Sequence, residues 1–221
     1  MLHLYALAAS PARLTEVAGI EGSHLRSVRV ADDVDALVSD MSAPSVAASE
    51  AAILAHAAVV EDLARCNDAL LPARFGPGYA DEEALAEALE GRAAQVRDAL
   101  ERVRGCVELG LRVLADTVDE RSPNGSSGRA YMLRRLDQVR SSERLAADVH
   151  EALGAEARES TSRVLASPQL LLSSAYLLPK NAVDAFRTAL DRTERRHPEL
   201  TFVCTGPWPP YSFALLDRGG R

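Results

Sequence analysis

The chain has 221 residues, 47% of them hydrophobic, and its 32 acidic against 25 basic side chains leave a formal net charge of −7 and a pI near 5.3. That length and a mean hydropathy of −0.09 supply one large or two small folded domains. The acidic balance argues against a nucleic-acid partner, which calls for a concentrated basic face, and no run approaches the roughly 18 apolar residues of a membrane span.

The first residues lack the basic region and long apolar core of a secretory signal, so cytoplasmic residence is expected. Cys66, Cys106 and Cys204 are an odd, widely spaced set with no CxxC pair, which reads as reduced thiols and neither a disulfide framework nor a zinc site. Lys180 is the only lysine, a bias that with abundant alanine reflects base composition more readily than binding.

In chain order, His3–Ala8 is a short apolar run and reads as a buried strand. Ala12–Val17 predicts a short helix closed by Gly19. Leu25–Val30 and Val34–Val38 alternate around Asp32-Asp33 as a hairpin. Ser42-Ala43-Pro44-Ser45 is a loop, and Ser49 is an N-cap for a helix over Glu50–Asn67 with Ile53, Ala57, Val60 and Leu63-Ala64 as its apolar stripe. Leu70–Phe75 predicts a strand turning at Gly76-Pro77-Gly78. Asp81-Glu82-Glu83 opens a helix that carries Leu85, Leu89, Val96, Leu100 and Val103 as far as Gly105. Cys106–Leu114 alternates cleanly, with Val107, Leu109, Leu111 and Val113 on one side and Glu108, Gly110 and Arg112 on the other.

Ser122–Gly128 has the composition of a linker. A helix of on the order of 50 Å is expected over Arg129–Leu165, its stripe lapsing near Glu156–Ser160 and Gly154 standing as a break point. Gln169–Leu178 reads as a strand, Ala182–Arg196 as a helix and Leu200–Cys204 as a strand. The fold expected is α+β in two domains. Residues 1–121 form a ferredoxin-like half; residues 129–221 form a long helix plus a small α/β sheet unit. Tyr5-Ala6-Leu7 and Tyr176-Leu177-Leu178 occupy matching places in a weak internal echo of strand, helix and two strands.

The chain then reaches Thr201–Phe213, which holds the one tryptophan and three prolines within four residues. Prolines at 207, 209 and 210 exclude a helix and stiffen the segment around Trp208 and Tyr211, before extended structure resumes at Phe213–Leu216. Gly206-Pro207-Trp208-Pro209-Pro210-Tyr211-Ser212-Phe213 resembles the C-terminal signature of the gas-vesicle accessory protein F/L family. Leu71-Pro72-Ala73-Arg74-Phe75-Gly76, Val107-Glu108-Leu109-Gly110-Leu111-Arg112-Val113 and the initial Leu4-Tyr5-Ala6-Leu7 agree with it in order, so the resemblance spans nearly the whole chain. It also places a histidine, here His56, some way before the Leu-Pro-x-Arg-Phe-Gly motif.

No nucleophile elbow, Walker loop, dinucleotide fingerprint or HExxH is present, and His3, His24, His56, His150 and His197 never pair at i,i+4. No catalytic, cofactor-binding or metal-ligating residue is assigned. His56 reads as a core histidine bonded to a nearby backbone group. Arg74, Phe75 and Glu108 read as a strand-to-turn clamp, since a guanidinium near a core needs a partner. What the resemblance implies is a non-enzymatic cytoplasmic component required for gas vesicle formation, binding the hydrophobic shell protein and other accessory proteins. Trp208, Tyr211 and Phe213 are the expected contacts, because aromatics with little entropy to lose make good anchors. A small-molecule-binding or catalytic α+β domain, with the same aromatics lining a pocket, is the second reading. In isolation the protein is expected to be monomeric or weakly associating.

Overall fold

The computed structural model describes residues 1–42, 48–76, 78–115, 128–163 and 170–214. They form two compact units: residues 1–107 together with the terminal segment from Trp208, and residues 108–207. The sequence put the division at Ser122–Gly128, of which 122–127, like Ala43–Ser45, lie outside the described residues.

The first unit is a sheet of β1 (Leu2–Ala9), β2 (Leu25–Ala31), β3 (Val34–Asp40) and β4 (Leu70–Pro72) in the order β2-β3-β1-β4. β1 runs antiparallel to both β3 and β4. This is the ferredoxin-like strand order, with one departure. Where a crossover helix would follow β1, Ala12–Gly19 runs as an irregular strap and only Ile20–Gly22 makes a 3-10 turn. The helix expected at Ala12–Val17 does not form because side chains from elsewhere take the strap's backbone groups. Asp35 accepts from the Ala12 N–H, and Asn67 both accepts from the Arg13 N–H and donates to its carbonyl. Gly19 ends no helix; a Cβ there would lie 2.7 Å from the Tyr5 hydroxyl.

α1 (Glu50–Cys66) starts where Ser49 accepts from the Ala52 N–H. Its buried stripe is His56, Val59, Val60 and Leu63, with Ile53 exposed. The expected stripe was rotated because a neutral histidine counts as part of the apolar face. Gly91, at φ +72°, ends the next helix early, so α2 (Glu82–Leu89) and α3 (Ala93–Val103) replace one continuous helix. β1 is buried at every residue from Leu2 to Ala8, the signature of a strand covered on both faces.

The second unit contains β5 (Cys106–Ala115), which straddles the boundary, then α4 (Gly128–Gly154), β6 (Glu159–Arg163), β7 (Leu170–Pro179), α5 (Val183–Arg196) and β8 (Leu200–Trp208). Its sheet order, β6-β7-β5-β8, with the chain order β-α-β-β-α-β, is the complete ferredoxin-like arrangement. The second half thus has the fuller version of the fold assigned to the first. β5 belongs to its sheet, and the long helix stops at Gly154 to make room for β6. That strand escaped a period-two reading because it is an edge: Glu-Ser-Thr-Ser-Arg pairs along one side only, Thr161 opposite Ala175. Leu109, Leu111 and Val113 of β5 meet Ala146, Val149 and Leu153 of α4, Tyr176 of β7 and Phe186 of α5 in one core. The two units therefore share a strand order, but not through the echo expected from the sequence: no α-helix follows β1 before β2, and among the described residues only β8 follows α5. The tyrosines are not equivalent: Tyr5 lies on the first strand of its unit and Tyr176 on the third.

Candidate functional site: a histidine pair beneath an anchored aromatic corner

Period two along β1 sets His3 and Tyr5 on the face toward α1, where His56 enters between them. His56 Nε2 lies 2.9 Å from the Ala73 carbonyl, which can only accept, so that nitrogen carries the proton. Its Nδ1 is then a lone pair and accepts from His3 Nε2–H at 2.8 Å. His3 Nδ1 is left a buried acceptor with no partner among the described residues.

The rings stack around this relay. Tyr5 lies 5.3 Å from His56 at 22°, and Phe75 meets His3 and His56 at 5.7 and 5.8 Å. The Tyr5 hydroxyl accepts from the Ile20 N–H at 2.8 Å and bonds Ser39 at 3.0 Å, which ties the strap to the sheet. Both imidazoles are held neutral. Burial, then the neighbouring His56, lowers His3 to about 4; burial lowers His56 despite its bond to Ala73.

The Leu-Pro-Ala-Arg-Phe-Gly motif is built onto this pair. Leu71 and Pro72 pair with Leu7 and Ala6, the Ala73 N–H donates to the Tyr5 carbonyl, and Phe75 caps the rings. His56 is thus a core histidine bonded to backbone, as the sequence reading had it. His3 was missed: a lone histidine in an apolar strand, 53 residues from its partner, gives no local signal beyond sharing a face with Tyr5.

The C-terminal corner sits on the same unit. β8 continues through Gly206 and Pro207 to Trp208, beyond the end expected at Cys204. Pro209 and Pro210 are buried, and Tyr211–Phe213 makes a 3-10 turn where extended structure was expected; Leu215 and Leu216 lie outside the described residues. Arg102 of α3 donates to the Phe213 carbonyl at 2.8 Å. Tyr211, half-buried, packs with Phe75 against the cluster around Tyr5. Phe213 is 4% exposed and serves the core, while Trp208 remains 44% exposed. Of the three expected contacts, the structure leaves Trp208 and one side of Tyr211 accessible.

The three clamp residues separate by environment. Arg74 is exposed, Phe75 half-buried and Glu108 buried; the two charged residues each engage a neighbouring group and fall in different units. In the third motif, a Cβ on Gly110 would lie 2.9 Å from Thr205 Oγ1, so this glycine lets β5 and β8 approach.

A second histidine cluster lies in the other unit. His150 Nδ1 is 3.1 Å from the Tyr176 hydroxyl and 3.4 Å from Ser174, with Ser160 at 3.4 Å from Nε2. Burial lowers His150 and pushes Tyr176 up to about 12. An open hollow of about 500 Å³ in the first unit is lined by Met1, Leu2, Arg26, Asp40 and Ala80–Glu83, but Arg26 is already engaged there by Asp40 and Glu82. Among the described residues no three His, Cys, Asp or Glu side chains gather as metal ligands, and no helix is long and apolar enough to cross a membrane.

Comparison with known proteins then places the molecule. A family profile described as "Gas vesicle synthesis protein GvpL/GvpF" matches residues 1–215. "Gas vesicle protein F2" of Halobacterium salinarum is 30% identical over 207 residues, 93% of this chain and 86% of that protein. "Gas vesicle protein L" of a Streptomyces species is 31% identical over 185 residues, 69% of each. The crystal structure of the gas vesicle protein GvpF from an Anabaena species superposes with a TM-score of 0.82 at 19% identity, covering 96% of this chain and 95% of that one. That of GvpF from Microcystis aeruginosa gives 0.77 at 18% identity, covering 96% and 98%. At such identities the structures attest the fold, and the match over residues 1–215 carries the relationship: the chain belongs to the GvpL/GvpF family of gas vesicle synthesis proteins.

Proposed function

We propose that the protein acts in the cytoplasm and at the gas vesicle as a non-enzymatic accessory component, binding the hydrophobic shell protein and other accessory proteins. A very apolar shell subunit aggregates unless held, and a soluble acidic partner with a fixed aromatic contact can hold it. The observation that supports this reading is the corner itself. Trp208 stays 44% exposed although the residues after it, Pro209, Pro210 and Phe213, are buried and Arg102 fastens the turn. An exposed indole on an anchored segment binds without a further ordering cost. The histidine pair fits the same reading, since both rings are buried in the packing of the first unit and His56 bonds the Ala73 carbonyl and His3.

The test is Trp208→Ala measured against purified shell protein. Affinity should fall by roughly 2 kcal/mol or more, the range of an anchor residue. Stability should fall by less than the roughly 3–5 kcal/mol of an emptied core site. Loss of stability without a separate loss of binding refutes the assignment.

A further inference from the structure

The two sheets have four edges, and three are protected against a further strand. β4 has only three residues; β6 has five and carries Glu159 and Arg163; β2 carries Arg26 and Arg29, bridged to Asp40, Glu82 and Asp35. Short edges and charged edges are the usual defences. β8 has neither. It is nine residues long, contains no charged side chain, and shows Thr201, Val203 and Thr205 to solvent. Among the described residues no backbone group outside the sheet bonds to Thr201–Trp208.

The helix above this edge carries a matching charge pattern. Arg187 and Glu194 stand two turns apart on α5, about 10.5 Å along its axis. Both act electrostatically on the Cys204 thiol, so this side of the helix overhangs the middle of β8. Neither makes an ion pair among the described residues. Cys204 is also the midpoint of Leu200–Trp208.

We infer that β8 is a self-association edge, pairing antiparallel with β8 of a second copy about a two-fold axis through Cys204. The axis opposes Cys204 to itself and Val203 to Thr205 of the partner subunit, joining two four-stranded sheets into one. It also lays the two α5 helices antiparallel, bringing Arg187 to Glu194 of the partner subunit and Glu194 to Arg187 of the partner subunit. An isologous contact of this kind closes at two copies. The inference goes beyond the shell-binding reading and does not use Trp208. The sequence expectation of a monomer or weak associate had no means of knowing that β8 is an edge.

The test needs only the purified full chain. Opposed residues in an antiparallel pair have Cα atoms about 4.5–5.5 Å apart, so a short bis-maleimide should give a covalent dimer. That dimer should persist in Cys66→Ser and vanish in Cys204→Ser. Sedimentation should show a concentration-dependent dimer. Arg187→Glu and Glu194→Arg should each weaken it about tenfold or more, by setting like charges opposite one another, and the double exchange should restore it. Val203→Lys, at an exposed edge position, should also dissociate the dimer with the unfolding temperature retained. A monomer at every concentration, cross-linking that survives Cys204→Ser, or failure of the double exchange to rescue overturns the inference. Binding of the shell protein is absent from every arm, so failure here leaves that reading untouched.

Discussion

Acidification should destabilise the first unit through His3. The ring is 1% exposed, donates its one N–H to His56 and is held at about 4 by burial and by that neighbour. In the unfolded chain it titrates near 6.5. Between those values the unfolded state binds the extra proton, so stability is complete above the unfolded value and is lost as pH falls through it. Integrating that difference gives roughly 2–3 kcal/mol lost by about pH 4.5, approaching about 3 kcal/mol below the folded value. His56 is also lowered by burial and adds a loss in the same direction, and His150 does so in the second unit. Asp35, whose burial is outweighed by bonds from Ala12 and Arg29, sits below its ordinary carboxylate range and contributes only at more acid pH. The assay is urea denaturation from about pH 7.5 to about pH 4.5. It is followed by the fluorescence of Trp208, the only tryptophan and a residue of the first unit. His3→Phe, which fills the site without titrating, should flatten the acid limb by about the His3 share. A wild-type midpoint constant over this range, or a His3→Phe variant with the same slope, refutes the reasoning.

Phe213→Ala should cost roughly 3–5 kcal/mol, since it empties a buried site, and the same unfolding curves measure it. Gly110→Ala should destabilise the second unit by about 1–3 kcal/mol through its clash with Thr205; Thr205→Ala in the same chain should recover most of that, and additive effects would deny the contact. Ser49→Ala should lose about 1 kcal/mol with the α1 cap. The clamp proposed between Arg74 and Glu108 is tested by a double-mutant cycle with Arg74→Ala and Glu108→Gln. Coupling above about 0.5 kcal/mol supports it, and additivity removes it.

What the sequence determined by itself was local or carried by motif. Ser49, the Asp32-Asp33 hairpin and the alternation of Leu109, Leu111 and Val113 each fix structure within a few residues, so short-range chemistry sufficed. The family, too, was legible from its ordered motifs. Tertiary structure decided the rest. Ala12–Val17 reads as a helix until Asp35 and Asn67 claim its backbone, and Glu156–Ser160 reads as a lapse in a helix until β6, which begins at Glu159, is placed beside β7. Leu71–Gly76 and Pro209–Phe213 are separate phrases in the chain; packing brings Tyr211 and Phe75 onto one cluster and divides the aromatics, Phe213 inward and Trp208 outward. His3 and His56 became a pair, and β8 an open edge, only when strands distant in sequence took their order in a sheet. A residue's own neighbours determine its preference for helix or strand. Which groups remain unpaired is settled by the partners that folding brings from far along the chain.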